Sequence, residues 1–417
     1  MLKSYSGFQP LRKCVVGRSY PAEFYKWIKN TRLRNLFEKI AIETEEDYQN
    51  LIKKLKEFNI DVVRPDTLTE LNFDVPDGYR IPGPYSMTPR DSLCMIGETL
   101  YQFDSKRHAN KASGRISKLP DLEDFSKSKY NSIKGSSWPN YNKDRLDKLP
   151  KHIINEIKND FGIDIITLIN NEKSQNYYYH QVDKTDFFSP IRKYVKTFGN
   201  NIVTNKDIPE LTMLKANGIV RVGQSLFFGS SDNIDPASNK ILQNEFKDYN
   251  IKTVCSEGHV DGMLCPVKPG LLMSITDPDI ANYDDSFPGW EVCWLSGESW
   301  HKVENWSKLK NKTNGKWWIK GYEQDNELID FVETWLQDWV GYVEETVFDV
   351  NALVINEKNI IVSGYNKTAF DAFNRHGITP HIVPFRHRYF WDGGIHCNTL
   401  DLDRCGKKTN YFKEDIK

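Results

Sequence analysis

The chain has 417 residues, of which 39% are hydrophobic and 13% aromatic, so it is long and apolar enough to bury a large core. Its 56 basic and 57 acidic residues nearly cancel, which argues against a nucleic-acid binder that depends on a basic surface. A mean hydropathy of −0.60, without an apolar run near ~18 residues, argues against a membrane-spanning helix. Seven cysteines without a CxxC pair favour free thiols and a cytoplasmic location, and the N-terminus does not read as a targeting segment.

Near the N-terminus, residues 44–58 are predicted to form an amphipathic helix, because apolar residues recur at the i, i+3, i+4 spacing. A short strand at 60–63 follows. Further along the chain, pairs of short apolar strands are joined by tight turns that contain Gly or Asn, residues that tolerate positive φ. The four predicted pairs are 91–96 with 100–103, 219–222 with 226–228, 263–267 with 271–274, and 352–355 with 360–362.

Several of these hairpins are followed by a helix and another strand. After the last hairpin, residues 367–376 have one apolar face, Gly377 is a predicted helix stop, and 378–383 form the next strand. Loose repetition of one supersecondary unit favours units arranged around a centre over a linear solenoid, whose repeats are short and regular.

One segment departs from this pattern. Residues 104–176 are rich in Lys, Ser, Asn and Asp, which predicts a surface insertion or, alternatively, a lid that contributes to specificity. No linker divides the chain cleanly. We therefore predict a single domain over 1–417 with a divergent insertion at about 104–205.

The most distinctive candidate for chemistry is Cys397, which follows Gly393-Gly394-Ile395-His396. Two glycines allow a tight bend and a close approach to a ligand, and a thiol there could act as a nucleophile once ionised. The alternative is a small buried apolar side chain. That alternative is our prediction for Cys14, Cys94, Cys255, Cys265 and Cys293, while Cys405 is left open.

Three other segments carry candidate polar groups. In Glu257–Gly262, His259 and Asp261 would share one face of a strand and could form an acid/base and cation-binding pair, or a zinc site together with His396 and Cys397. A zinc site needs three or four ligands, and only His396 and Cys397 are obvious additions to the pair, so we predict no metal. Asp91 precedes a predicted strand, and Asn217-Gly218 precedes another. Each also has a structural alternative. His259 could be a hydrogen-bonded buried histidine, Asp91 could cap a turn or pair with an arginine, and Asn217-Gly218 could be an ordinary turn.

Together these groups suit chemistry on a guanidinium. A guanidinium is planar, always charged, and presents donors in a fork that carboxylates match. Asp91 and Asp261 would hold it, the Cys397 thiolate would attack its central carbon, and His259 would give a proton to the departing amine.

The ordered set of motifs resembles the glycine (L-arginine:glycine) amidinotransferases of the pentein, or guanidino-group-modifying, superfamily. The residues that carry the resemblance lie along almost the whole chain outside about 104–205. They are Cys14-Val15-Val16-Gly17-Arg18, Val62-Val63-Arg64-Pro65-Asp66, Pro89-Arg90-Asp91, Arg221-Val222-Gly223, His259-Val260-Asp261, Val350-Asn351-Ala352-Leu353 and Gly393-Gly394-Ile395-His396-Cys397, with Asp401-Leu402-Asp403-Arg404-Cys405-Gly406 at the end.

The resemblance implies a five-bladed α/β propeller of ββαβ units around a central polar channel. It implies that Cys397 is the nucleophile and His259 the general acid/base, with Asp91 as a further catalytic carboxylate. Asp261, Arg90, Asn217 and Asn351 are the expected substrate-binding residues. The implied reaction moves an amidino group from arginine to an amine through an amidino-cysteine and releases ornithine. It needs no cofactor. Enzymes of this kind are often dimers, so a homodimer is allowed for.

Two departures from the family shape the expectation. The aspartate that supports the family's histidine is replaced, with Lys215 at the ungapped position and Asn217 nearby. Asp277-Pro278-Asp279 stands where the family has an arginine that meets a substrate carboxylate. We therefore expect an acceptor other than glycine. The alternative functions are a guanidine hydrolase of the same superfamily, resembling arginine deiminase, and a guanidinium-binding protein with impaired catalysis.

Overall fold

A computed structural model of the chain describes most of the residues outside the predicted insertion. The described residues are 1–71, 81, 83–103, 185–208, 211, 214–229, 242–254, 259–279, 281–295, 317, 319–322, 324–336, 339–340, 349–391 and 393–412. Nearly all of them belong to one compact unit, made of 1–75, 83–105 and 186–417. A second unit, made of 76–82 and 106–185, falls almost wholly outside the described residues, as do 104–184 of the predicted insertion.

The described strands form five three-stranded sheets of one design, in which an antiparallel pair is extended by a third strand parallel to the middle one. The sheets are β15–β1–β2 (Thr399–Arg404, Leu11–Val16, Asp61–Val63), β3–β4–β5 (Leu93–Ile96, Thr99–Gln102, Asn201–Thr204), β6–β7–β8 (Ile219–Val222, Ser225–Gly229, Asn250–Val254), β9–β10–β11 (Leu264–Lys268, Leu271–Ser274, Glu291–Trp294) and β12–β13–β14 (Leu353–Asn356, Asn359–Val362, Thr379–Ile382).

The four hairpins predicted from the sequence are confirmed as β3–β4, β6–β7, β9–β10 and β12–β13. The fifth antiparallel pair has no local signal, because β15 at the C-terminal end pairs with β1 at the N-terminal end, with Leu400 opposite Val15. This pairing completes the fifth ββαβ unit. Asn201–Thr204 belongs to the second sheet, so the end of the segment predicted to be divergent contributes a regular strand.

Helices connect the second and third strands of the units. The first, α1, spans Thr31–Glu57 and therefore begins earlier than the predicted residue 44, because Leu33, Phe37 and Ile40 extend its buried face. The Asn30 side chain caps it by accepting from the backbone nitrogens of the second and third residues. The other described helices are α2 (Pro89–Ser92), α3 (Ser189–Thr197), α4 (Val260–Met263), α5 (Tyr283–Ser286), α6 (Asn326–Trp335), α7 (Lys367–Arg375) and α8 (Arg388–Trp391).

The predicted helix after the last hairpin is confirmed as α7. Asn366 caps its start with a 3.0 Å bond from the Ala369 nitrogen, and Gly377, at φ +65°, ends it. Among the helices that the structure describes, none is both long and apolar enough to cross a membrane.

Each of the five units places one buried carboxylate, amide or thiol side chain at an equivalent position. Two or three residues before the first strand of every unit stands a side chain that is at most 8% exposed. These side chains belong to Asp91, Asn217, Asp261, Asn351 and Cys397. The repeated architecture therefore brings residues from five distant parts of the sequence to one end of the five first strands.

Candidate functional site

Cys397 is held by Asn351 on two sides. The Asn351 Oδ1 accepts a 2.9 Å bond from the Cys397 backbone nitrogen, and its Nδ2 lies 2.9 Å from the Cys397 Sγ. Asn351 approaches this closely because Gly394 has no side chain, since a Cβ there would lie 2.5 Å from the Asn351 Oδ1. The glycine before the cysteine is thus explained by contact with Asn351.

The loop that carries Cys397 is also closed on itself. Asn398 donates from Nδ2 to the carbonyls of Gly393 and Gly394, at 3.0 and 2.8 Å, and accepts a 2.9 Å bond from the Tyr48 hydroxyl. Thr399 donates from Oγ1 to the Ile395 carbonyl at 2.9 Å. Sequence reasoning did not identify Asn398, although an asparagine directly after a Gly-Gly turn is a typical bridge across such a turn.

Asp261 links the thiol to His396. Its Oδ2 lies 2.9 Å from the His396 Nδ1 and 3.5 Å from the Cys397 Sγ, while its Oδ1 is buried without a hydrogen-bond partner. Burial and the positive charge of Arg90 lower the pKa of His396, although Asp261 opposes both effects. His396 is therefore expected to be neutral at neutral pH, with Nδ1 as the donor to Asp261. Sequence reasoning named His396 only as an alternative zinc ligand.

Asp91 and Asn217 form the second polar pair of the site. The Asn217 Nδ2 donates to the Asp91 Oδ1 at 2.7 Å, and the Thr88 hydroxyl donates to the Asp91 Oδ2 at 2.8 Å. The Asn217 Oδ1 is buried and has no partner. Lys215, at the position where the family has its aspartate, is exposed, so Asn217 is the residue of this segment that reaches the site.

His259 differs from the sequence expectation. The prediction that His259 and Asp261 share a strand face was wrong, because Val260–Met263 form the helical turn α4 and the strand begins only at Leu264. His259 precedes that turn and is half-buried. Among the described residues, the structure gives its side chain no hydrogen-bond or ion-pair partner. Glu257 and Gly258 lie outside the described residues.

The Arg90 guanidinium forms hydrogen bonds to other residues of the protein. Its Nε donates to the carbonyls of His396 and Thr399, each at 3.0 Å, and its Nη2 lies 2.8 Å from the Asp401 Oδ1. Arg90 lines a cavity together with Asp261, His396 and Arg221, and residues of the first strands β6, β9 and β12 supply most of the remaining lining.

Four other described cysteines fit the expectation from the sequence that they are buried apolar side chains. Cys14, Cys94, Cys265 and Cys293 are buried, and burial raises the pKa of the Cys14 and Cys265 thiols to about 12. Cys405 is exposed, and Cys255 lies outside the described residues. Within the described ranges, no group of three or more His, Cys, Asp or Glu side chains could hold a metal ion.

Comparison with known proteins agrees with the resemblance seen in the sequence. No family model matches the chain. The mitochondrial glycine amidinotransferase of Xenopus laevis is 20% identical over an alignment of 433 positions that covers 98% of this chain and 84% of that protein. Inosamine-phosphate amidinotransferase 1 of Streptomyces griseus is 23% identical over 207 residues. That match covers 49% of this chain and only half the length of the Streptomyces protein.

Two solved structures have the same fold. SxtG, an amidinotransferase from Microseira wollei in the saxitoxin biosynthetic pathway, matches with a TM-score of 0.55 at 16% identity and covers 99% of both chains. The inosamine-phosphate amidinotransferase StrB1 of Streptomyces griseus matches with a TM-score of 0.54 at 15% identity, with the same coverage. The predicted five-bladed α/β propeller and the resemblance to amidinotransferases are both confirmed.

Proposed function

We propose that this protein is an amidinotransferase that takes the amidino group of L-arginine, holds it on Cys397 and passes it to an amine acceptor, with release of ornithine. The chain's similarity to amidinotransferases supports the reaction class. The arginine donor, the covalent intermediate and the residue roles are our proposal from the site.

The observation that carries the proposal is a buried thiol beside hydrogen-bond acceptors that lack donors. The Asp261 Oδ1 and the Asn217 Oδ1 are buried and unpaired, and Asp91, which binds Asn217, adds a second carboxylate. Leaving buried acceptors unpaired costs about 1–3 kcal/mol each. A guanidinium supplies five N–H donors and a positive charge, so it would satisfy these acceptors and compensate two buried carboxylates at once.

In the first half-reaction, the Cys397 thiolate attacks the central carbon of the guanidinium and forms a carbon–sulfur bond. The bond from this carbon to the substrate's side-chain nitrogen then breaks, and that nitrogen takes a proton from His259 and leaves as ornithine. The products are a positively charged amidino-cysteine and a neutral imidazole. Asp91 and Asp261 stay ionised throughout and hold the cationic amidino group in place.

In the second half-reaction, an acceptor amine attacks the same carbon. It gives one proton to His259, the carbon–sulfur bond breaks, and the Cys397 thiolate is restored. His259 is thus protonated again for the next cycle. The described residues provide no carboxylate to orient His259, so we expect its contribution to be smaller than that of a carboxylate-supported histidine.

The segment after β10 favours an acceptor without a carboxylate, because it holds Asp277-Pro278-Asp279 where the resemblance implies an arginine that meets a substrate carboxylate. Ser274, the last residue of β10, has its hydroxyl bonded to the Met263 carbonyl at 3.1 Å and to the Tyr283 hydroxyl at 2.9 Å. These bonds within the protein make Ser274 a poor candidate for binding a substrate carboxylate. Asp277 and Asp279, which follow, are exposed and negative. These charges would repel the carboxylate of glycine and would attract an acceptor that carries additional positive charge.

A product assay tests the proposal. Purified protein is incubated with labelled arginine and, in turn, glycine, lysine, β-alanine, 4-aminobutyrate, hydroxylamine or an amino-cyclitol phosphate, with Cys397→Ser as the control. We expect labelled ornithine only with wild-type protein and only when an amine is present. A mass increase on Cys397 with arginine alone would identify the covalent intermediate.

Two other outcomes would replace the proposal. Citrulline and ammonia in the absence of an acceptor would identify a hydrolase. Arginine binding without any product, from folded protein, would identify a guanidinium-binding protein, and the missing support for His259 would then be the reason. A cytoplasmic location stays a prediction from the sequence, and a possible homodimer stays what the resemblance to the family implies.

A further inference from the structure

A cluster of three arginines around one aspartate lies behind the site. The Asp401 carboxylate accepts hydrogen bonds of 2.7–2.8 Å from Arg90, Arg221 and Arg404, and Arg221 donates to both of its oxygens. The Ser4 hydroxyl adds a 2.7 Å bond. All four charged side chains are at most 5% exposed. Among these four, positive charge exceeds negative charge by two.

The three arginines differ in what else they bind. Arg404 donates to the carbonyls of Gln9 and Val354, and Arg221 to the Met95 carbonyl and the Ser4 hydroxyl. Arg90 instead donates to the carbonyls of His396 and Thr399, which flank the nucleophile in the sequence. Of the three, Arg90 is therefore the one that ties the buried charge cluster to the backbone of the Cys397 loop.

The bond from Arg90 to the His396 carbonyl acts on a single peptide plane. The His396 carbonyl and the Cys397 N–H belong to the same planar peptide unit. Arg90 holds the carbonyl side of this plane at 3.0 Å, and Asn351 holds the N–H side at 2.9 Å. A plane fixed from both sides fixes the N–Cα bond of Cys397, from which the side chain extends, and the 2.9 Å contact from the Asn351 Nδ2 restrains the sulfur itself.

Arg90 also brings positive charge to this loop, as the lowered pKa of His396 indicates. A charge that disfavours an imidazolium favours a thiolate nearby. Among the described residues, the other charged or titratable groups of the site are Asp261, whose Oδ2 lies 3.5 Å from the Cys397 Sγ, His396, His259, Asp91 on the same helical turn as Arg90, and Asp401, which Arg90 binds. The negative charges of the carboxylates disfavour ionisation of the Cys397 thiol, and the positive charge of Arg90 offsets this effect in the protein without substrate.

We propose that Arg90 is a positioning residue for the nucleophile: it fixes the His396–Cys397 peptide and supports the Cys397 thiolate, and it does not bind substrate. This replaces the expectation from the sequence that Arg90 contacts the substrate. The inference depends on the proposed function only for the identity of Cys397 as the nucleophile.

Alkylation of Cys397 by iodoacetamide, in protein without substrate and over a range of pH, tests the inference independently of turnover. After tryptic digestion, cleavage at Arg388 and Arg404 separates Cys397 from Cys405, so exposed Cys405 serves as a reference in the same sample. Arg90→Lys keeps the charge but replaces the separate Nε and Nη2 donors with a single ammonium, so we expect Cys397 to react about tenfold more slowly near neutral pH. In Arg90→Gln we also expect the midpoint of the pH profile to move upward.

Two further variants make the result decisive. Arg12→Gln removes an arginine of β1 that pairs with Asp403, on the same strand as Asp401. The structure gives Arg12 no hydrogen bond to the described residues of the Cys397 loop, so this variant should react like wild type. Thr399→Val removes a hydroxyl that bonds to the same His396 carbonyl at 3.2 Å, and it should slow alkylation in the same direction. If the Arg90 variants do not fold, Thr399→Val decides the question, and unchanged alkylation would then overturn the inference.

Steady-state kinetics separate positioning from substrate binding. If Arg90 positions the nucleophile, Arg90→Lys should lower kcat and change the arginine KM little. A folded Arg90→Lys protein with an unchanged alkylation profile and a raised arginine KM would overturn the inference and restore a substrate-binding role. If wild-type Cys397 is reactive and depends on Arg90 but no amidino transfer occurs, the inference holds and the proposed function fails.

Discussion

The side-chain amide of Asn351 contacts Cys397 twice. Its Oδ1 accepts from the Cys397 backbone nitrogen and its Nδ2 donates to the Cys397 Sγ, each at 2.9 Å. Asn351 and Cys397 occupy equivalent places in neighbouring units of the propeller, each two residues before a first strand. An amide N–H aimed at sulfur stabilises a thiolate more than a thiol, because hydrogen bonding to the charged form favours that form. We therefore propose that Asn351 supports the Cys397 thiolate, whereas the sequence predicted a substrate-binding residue.

The contact between Gly394 and Asn351 predicts that Gly394→Ala lowers the reactivity of Cys397. The added Cβ would lie 2.5 Å from the Asn351 Oδ1, so Asn351 must move away from the cysteine. Gly393→Ala is the matched control, because its Cβ would meet neighbours at ordinary distances of 3.4–3.6 Å. Alkylation rates of Cys397 in the two folded variants should differ clearly, and equal rates would show that the Asn351 contact is not needed.

The two carboxylates predict the strength of donor binding. In a Cys397→Ser background, Asp91→Asn or Asp261→Asn should weaken arginine binding by about 1–3 kcal/mol, because a charge-assisted bond becomes a neutral one. Isothermal titration calorimetry would measure the change, with Asp371→Asn, an exposed aspartate on α7 that pairs with Lys367, as the control. If arginine binds equally well to all variants, the site does not clamp a guanidinium.

The replacement of the family's aspartate predicts unequal roles for Asn217 and Lys215. Asn217→Ala removes the 2.7 Å bond to the Asp91 Oδ1 and the buried acceptor beside it, so kcat/KM for arginine should fall by about tenfold. Lys215→Ala changes an exposed side chain and should leave kcat/KM within about twofold of wild type. A loss confined to Lys215→Ala would move the functional role to the lysine.

The arginine cluster predicts a large stability effect at Asp401. Burial alone would raise the pKa of Asp401, but Arg221, Arg404 and Arg90 hold that pKa well below its ordinary value. Asp401→Asn leaves three buried arginines without a counter-charge and should lower the free energy of unfolding by about 3–5 kcal/mol. Asp403→Asn, whose partner Arg12 is half exposed, should cost about 1 kcal/mol or less. Urea unfolding of both variants would measure this difference, and equal costs would contradict it.

The lowered pKa of His396 predicts how stability depends on pH. As pH falls through 6.5, the ordinary value for histidine, the unfolded chain binds a proton at this residue before the folded chain does. The native state should therefore lose part of its free energy of unfolding below about pH 6.5. His396→Asn keeps a donor for Asp261 but cannot titrate, so its unfolding free energy should fall less between about pH 8 and about pH 5.5. Parallel curves for the two proteins would show that His396 is not titrating differently in the folded state.

Local sequence patterns were sufficient to predict the repeated hairpins, the helix and strand after the last hairpin, and the buried free cysteines. Each of these features depends on residues that are neighbours along the chain, such as the turn glycines or the capped helix that ends at Gly377. The five ββαβ units were reached only through the resemblance, because the strands of the fifth sheet, β15 and β1, lie at opposite ends of the chain.

The sequence by itself therefore determined the chemical groups that are present and the local form of most elements. The tertiary structure decided which groups meet. It placed Asn351 on the thiol, Asn217 on Asp91, His396 on Asp261 and Arg90 on Asp401. The physical reason is that burial strongly favours a hydrogen-bond partner for a polar side chain. The two members of each pair come from different units of the propeller, so the spacing of residues along the chain does not predict the contact.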